Sequence, residues 1–296
     1  MLWLYLTIIA YLFFAFGNIG DKLIVSKYKT NPLAYAFYVG IMGLVVVALI
    51  PFGVTWPSSL VFGISVLAGV AFVSALYFMY KAVWDGAISQ AVTIIGSASP
   101  IFTFILAHYF LGENLKGNQL LAFLILIIAI VVLSWPHSSH GKFNKKLISH
   151  AIAASFFFAI SYVTAKYIYD HDSFISGFFW QRIGAALFAL AVLALPAGWR
   201  QIKADWQTPK EKRGLLMLAV QVVGGLGVLG QNYALSLASV TLINALQAIQ
   251  YAFVFLASYF LGFKFVQLRE KYNEQQLIRK ISALILIALG LFLIAI

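Results

Sequence analysis

Cysteine does not occur among the 296 residues, so disulfides and thiolate metal sites are excluded. Charge is scarce as well. Asp, Glu, Lys and Arg make up 10% of the chain, where a soluble domain carries about a quarter. Only nine residues are acidic, and no cluster of them offers a metal site. Enzyme signatures are missing: there is no His-Glu-x-x-His, no Gly-x-Ser-x-Gly and no phosphate-cradling loop. His108, His137, His140, His150 and His171 are scattered. The alternating strands of about ten residues that build an outer-membrane barrel are absent. The first segment lacks the positive flank and small-residue cleavage site of a signal peptide, and reads as a retained span.

What fills the chain instead is apolar, 62% of it. No single soluble core hides that much. Apolar runs of about 20 residues recur from end to end, each long enough to cross a bilayer of roughly 30 Å as a helix. The fold class expected is therefore an all-α polytopic membrane protein with ten transmembrane helices. They lie near 2–25, 32–52, 59–82, 87–111, 117–135, 148–169, 174–196, 214–236, 240–262 and 280–296. The breaks carry turn residues, among them Asn31-Pro32, Pro51-Phe52-Gly53, Trp84-Asp85-Gly86 and Pro196-Ala197-Gly198.

The net charge of +11 follows from this layout. Ten spans place the loops alternately on two sides. One side holds fifteen of the twenty basic residues, including Lys142, Lys145, Lys146, Arg200, Lys203, Lys210, Lys212 and Arg213; the loops of the other have Lys116 and little else. Cytoplasmic loops retain Lys and Arg during insertion. The basic loops are thus expected in the cytoplasm and both termini outside, in the inner or plasma membrane, with attraction to anionic lipid headgroups as a side effect.

The two halves resemble each other. "LFFAFGNIGDK" (12–22) pairs with "FFFAISYVTAK" (156–166), aligning Lys22 with Lys166, and "AHYFLGE" (107–113) pairs with "ASYFLGF" (257–263). These matches, in the same order, point to a duplicated five-span unit: 1–136, a cytoplasmic linker 137–147, and 148–296. Five is odd, so the second copy enters the membrane inverted, an architecture common among secondary transporters. Lys22 and Lys166 then lie near opposite faces as candidate gating residues. The bland alternative is that each snorkels to the interface.

The stretch "YKAVWDGAISQAVTIIGSASPIFTFILAHYFLGENL" (80–115), with Pro100 and the closing Leu111-Gly112-Glu113, resembles the fourth-span pattern of the drug/metabolite transporter superfamily in its ten-span EamA-type branch. The five-plus-five layout and a Lys late in the first span of each half carry the same resemblance. The second copy departs from it: Tyr251 stands where the proline would be, Phe263 replaces the glutamate, and residues 264–279 are extra. The resemblance implies a solute carrier, commonly an exporter of amino acids or other small metabolites. Relatives carry sugars, nucleotide sugars or phosphorylated compounds.

Polar residues inside spans are costly unless they pair or face a cavity. Asn244, Gln247 and Tyr251 share one helix face, as do Gln90, Thr93 and Ser97. These stripes correspond between the halves, and the expected role is lining a substrate cavity. Arg182, within "FFWQRIG", is nine residues past Ser173 and so roughly 13 Å deep, too deep for easy snorkelling. No acidic residue is evident at its depth, so it is expected to bind an anionic substrate group. Trp180, Gln181, Gln221, Tyr77 and Tyr80 complete the expected wall. Interhelical hydrogen bonding is the competing use of such side chains. The glycines of "VVGGLGVLG" are expected to serve close helix contact.

The function expected is transport of a small polar or amphipathic metabolite, zwitterionic or anionic, with export the expected direction, by alternating access. Alternatives are an exchanger of nucleotide-linked or phosphorylated solutes, and a non-transporting receptor or lipid-handling scaffold. No cofactor, metal, catalytic residue or nucleic-acid partner is expected. The partners are the substrate and membrane lipids, with the protein a monomer or homodimer.

Overall fold

Hydrogen-bonded caps and lone glycines set the helix boundaries, as a computed structural model of the chain makes visible. It describes residues 1–28, 30–85, 88–134, 144–207, 213–261 and 273–295. The helices are α1 (Leu2–Tyr28), α2 (Pro32–Met42), α3 (Ser59–Asp85), α4 (Ile88–Leu111), α5 (Gly117–Ser134), α6 (Lys145–His171), α7 (Phe174–Ala194), α8 (Pro196–Trp206), α9 (Arg213–Leu237), α10 (Val240–Ala245), α11 (Gln247–Leu261) and α12 (Glu274–Ala295). A 3₁₀ segment, Gly43–Phe52, continues α2. Among the described residues there is no strand, and ten stretches are long and apolar enough to cross a membrane. The chain is an all-α polytopic membrane protein.

Local chemistry accounts for the ends. The Asn31 side chain accepts from the amides of Leu33 and Ala34, and Pro32 takes the first helical position, where no amide hydrogen is missed. Ser173 caps α7 by accepting from the Ser176 amide at 3.2 Å. Gly112, at φ 66°, ends α4 in the left-handed conformation that suits glycine. The Glu113 carboxylate beyond it accepts from the hydroxyl of Ser239, which caps α10.

Three features differ from the expected spans. The second is α-helical only to Met42. Its 3₁₀ continuation is far longer than the usual three or four residues, and contains three successive valines and Pro51, which lacks an amide donor. The ninth is interrupted at Leu246. Residues 196–206, read as the end of a span and a loop, form the short helix α8. The extra residues 264–279 fall largely outside the described residues, although α12 begins at Glu274 rather than near 280.

Small residues let the inner helices approach. α3 packs on α6 through the fully buried Ala68, Ala75, Ala151 and Ala154, and the Ser161 hydroxyl of α6 donates to the Ala68 carbonyl at 3.1 Å. α3 also packs on α7. α9 lies mainly on α1, and α12 on α5. Leu215, Ile285 and Leu289 on those outer helices are exposed and off the cavity, as lipid contact requires.

Candidate functional site

At the centre is a cavity of about 1140 Å3, at or above the roughly 300–1,000 Å3 of ordinary small-molecule sites. Its wall is mostly apolar. The polar side chains that line it include Asp21, Tyr80, Gln181, Arg182, Gln221, Gln231, Asn232, Gln247, Gln250, Tyr251 and Lys280.

Arg182 is 7% exposed. Its guanidinium carbon lies 4.3 Å from the centre of the Phe72 ring and 5.4 Å from that of Phe178, a cation–π arrangement that offsets part of the desolvation of a buried charge. Nε is buried without a hydrogen-bond acceptor. No ion pair to a carboxylate forms at Arg182 among the described residues. The stem packs beside Gly43, where a β-carbon would sit 3.7 Å from Cδ.

Next to it, the Tyr169 hydroxyl lies 3.1 Å from the Gln181 side-chain oxygen and 2.8 Å from that of Asn232. Gln231 donates to the Tyr11 hydroxyl at 3.2 Å, and Tyr11 donates to the Ile243 carbonyl at 2.7 Å. Behind the wall residues Asp21 and Gln221, the buried Tyr35 hydroxyl donates to the Asp21 carboxylate and accepts from the Gln221 amide. Tyr80 packs its ring 4.5 Å from that of Tyr35. Gln247, directly after the break at Leu246, donates to the Tyr251 hydroxyl at 3.2 Å. Lys280 donates to the Leu133 carbonyl at 3.0 Å, over the Phe255 ring. Anion, hydrogen-bond and aromatic recognition are thus all available on one wall.

The expected residues divide. Tyr80, Gln181, Arg182, Gln221, Gln247 and Tyr251 share the cavity. Gln90, Thr93, Ser97, Trp180, Asn244 and Tyr77 are not on its lining. Gln90 is buried within the bundle. Thr93 donates to the Ser134 carbonyl of α5, and Ser97 to the Thr93 carbonyl of its own helix. Asn244 donates to the Thr103 hydroxyl, joining α10 to α4. The Trp180 indole donates to the Thr55 carbonyl and meets Trp56 edge-on, closing the loop before α3 onto α7. In most of these, interhelical or intrahelical bonding has taken the polar group. Lys166 donates to Asp170 one turn on, at 2.8 Å, and is off the cavity. The side chain of Lys22 lies outside the described residues.

Sequence reasoning missed Asp21 and Lys280 as lining residues. Both are close to span ends by number, but the cavity reaches them. A charge within an apolar run was the available signal for Asp21.

A helical membrane protein with a metabolite-sized internal cavity and a buried cation on its wall is the class defined by these features. The sequence profile of the EamA-like transporter family matches residues 1–135 and 145–296. The chain belongs to the EamA-like transporter family, a family of membrane transporters. It is similar to proteins named S-adenosylmethionine uptake transporter: that of Rickettsia conorii, 25% identical over 57% of this chain and 53% of the relative, and that of Rickettsia felis, 25% identical over 58% and 55%. The counterpart in Rickettsia bellii is 28% identical over 45% of this chain and 43% of its own. The chain thus spans about half the length of the curated relatives it matches. A solved crystal structure of another protein superposes with a TM-score of 0.70 over 98% of this chain and 96% of its own, at 15% identity, a likeness of fold alone.

Proposed function

We propose that this chain carries a small polar or amphipathic metabolite with an anionic or zwitterionic group across the membrane by alternating access, and that Arg182 receives the anionic group. One observation carries the reading: a nearly buried guanidinium lines a metabolite-sized cavity with no carboxylate paired to it among the described residues. A guanidinium in that setting gains most from a ligand that brings its own negative charge. Two five-helix units, 1–136 and 148–296, inserted in opposite senses, are the moving parts in this reading; the twofold match of the family profile supports the division. Both termini face outward and the basic loops the cytoplasm.

The names of the relatives make S-adenosylmethionine, which carries a carboxylate beside its ammonium and sulfonium cations, the first compound to try, and their uptake direction runs opposite to the expected export. Both directions are therefore measured. In proteoliposomes loaded in turn on either side with labelled S-adenosylmethionine, amino acids or nucleotides, Arg182→Leu abolishes transport. Arg182→Lys weakens it, keeping charge but losing bidentate geometry. The Leu variant keeps or gains thermal stability, because a buried charge is gone. Transport by Arg182→Leu at the unsubstituted rate sinks the proposal. Exchange of nucleotide-linked or phosphorylated solutes is the second reading, favoured by Lys280 as another cation on the wall.

A further inference from the structure

Two elements bring to the cavity residues that are also exposed. On the 3₁₀ segment, Val45 is 77% exposed and Ala48 is exposed, and both line the cavity. On α9, Val222 and Leu226 do the same. Exposure of this size on the cavity lining fits a wall that is open between these two elements. Among the described residues α9 forms no extended interface with α2 or the 3₁₀ segment. One hydrogen bond, Gln221 to Tyr35, links α9 to α2 at one end of this seam.

In the duplicated arrangement the counterpart of this seam is the contact of α3 with α7, and that one is shut. A β-carbon at Gly69 would lie 2.2 Å from the Ala185 nitrogen, and one at Gly184 2.7 Å from the Val66 Cα. By contrast, β-carbons at Gly224 and Gly225 of α9 would meet open space. Behind the open seam lies Arg182, its stem against Gly43 at the start of the 3₁₀ segment.

We propose that the seam between α9 and the 3₁₀ segment is a side entrance from the hydrocarbon core, used by an amphiphile whose acid group reaches Arg182 while its apolar part occupies the seam. The proposal rests on Arg182 as the anion site and adds the route and the apolar half of the substrate. The chemistry on the two sides fits one occupant. An aliphatic slot offers nothing to a hydrated solute, which must shed water to enter it, and a guanidinium at its inner end offers nothing to a hydrocarbon. A chain with an acid at one end satisfies both. The acyl chains of bulk phospholipid fill the slot without using the cation.

The test compares dodecanoate with butanoate on the full chain in phosphatidylcholine nanodiscs, after subtraction of empty discs. Dodecanoate binds at least about tenfold more tightly, since its extra methylenes leave water for the seam. Val222→Trp and Ala48→Trp, at exposed positions on the cavity lining, obstruct the seam. Each weakens dodecanoate by about tenfold and butanoate by no more than about twofold; melting temperatures confirm that both variants fold. Arg182→Gln weakens both acids. Equal affinities for the two acids, or obstruction that weakens both alike, overturn the entrance and leave the Arg182 site standing. Dodecanoate binding that responds to obstruction but not to Arg182→Gln means a lipid-filled crevice and overturns the proposal. Indifference of both acids to Arg182→Gln overturns the anion site, and this proposal with it.

Discussion

Gly69 decides how closely α3 approaches α7. Its missing side chain leaves the α7 backbone where a β-carbon would otherwise stand, within 2.2–2.7 Å of Ala185, Gly184 and Gln181. Gly69→Ala therefore forces two helix backbones apart and costs about 1–3 kcal/mol, read as a lower melting temperature in detergent. Gly225→Ala meets nothing within 4 Å and is neutral, or stabilising by up to about 1 kcal/mol through helix propensity. Equal effects of the two substitutions contradict this packing. In the sequence both are simply glycines in apolar helices. Close helix contact, expected of the α9 glycines, holds at Gly227, where a β-carbon would sit 2.9 Å from Phe14, and at Gly224, whose Cα would lie 3.7 Å from a β-carbon on Gly17, but a β-carbon at Gly225 meets nothing within 4 Å. The same limit applies to Arg182 and Asn244. Each is a polar residue in a span, and the sequence does not say that the first lines a cavity while the second is spent on Thr103.

Among the elements, α8 is the one without an expected counterpart. It is too short to span, with Trp199 and Trp206 exposed and Arg200 and Lys203 beside them, the composition of a helix lying at a membrane interface. Its buried Asp205 fixes it to α2, accepting from the Asn31 amide at 3.0 Å and the Tyr38 hydroxyl at 3.2 Å. Hydrogen bonds to a carboxylate are the stronger kind, so Asp205→Ala costs about 1.5–3 kcal/mol. Lys203→Ala, at an exposed position, stays within about 0.5 kcal/mol. Thermal unfolding in micelles of matched composition measures both, and an Asp205 variant as stable as the Lys203 variant refutes the tie. Most helices themselves were legible, since runs of apolar residues between turn signals have few other uses. α8 was not, because an amphipathic stretch of eleven residues reads equally as a loop.

For the whole molecule, the absence of cysteine makes orientation easy to measure. The charge bias of the loops predicts that a cysteine at His171, an exposed position, is labelled by an impermeant maleimide in intact cells. One at Gln207, also exposed, is labelled only after permeabilisation. The reverse pattern inverts the topology proposed here. Asp205 is unsuitable for this purpose, because the fold buries it.

Helix number, class and family resemblance follow from composition and order along the chain, because a bilayer accepts backbone only as hydrogen-bonded helix or closed barrel and so constrains each span separately. Which polar groups meet is a different matter. Asp21, Tyr35 and Gln221 are far apart in sequence and joined only when α1, α2 and α9 converge. Lys280 reaches the wall through its bond to Leu133 at the end of α5. The open seam beside α9 and the closed one between α3 and α7 both carry glycine. They differ in how closely the helices stand, a property of pairwise packing that no single span encodes.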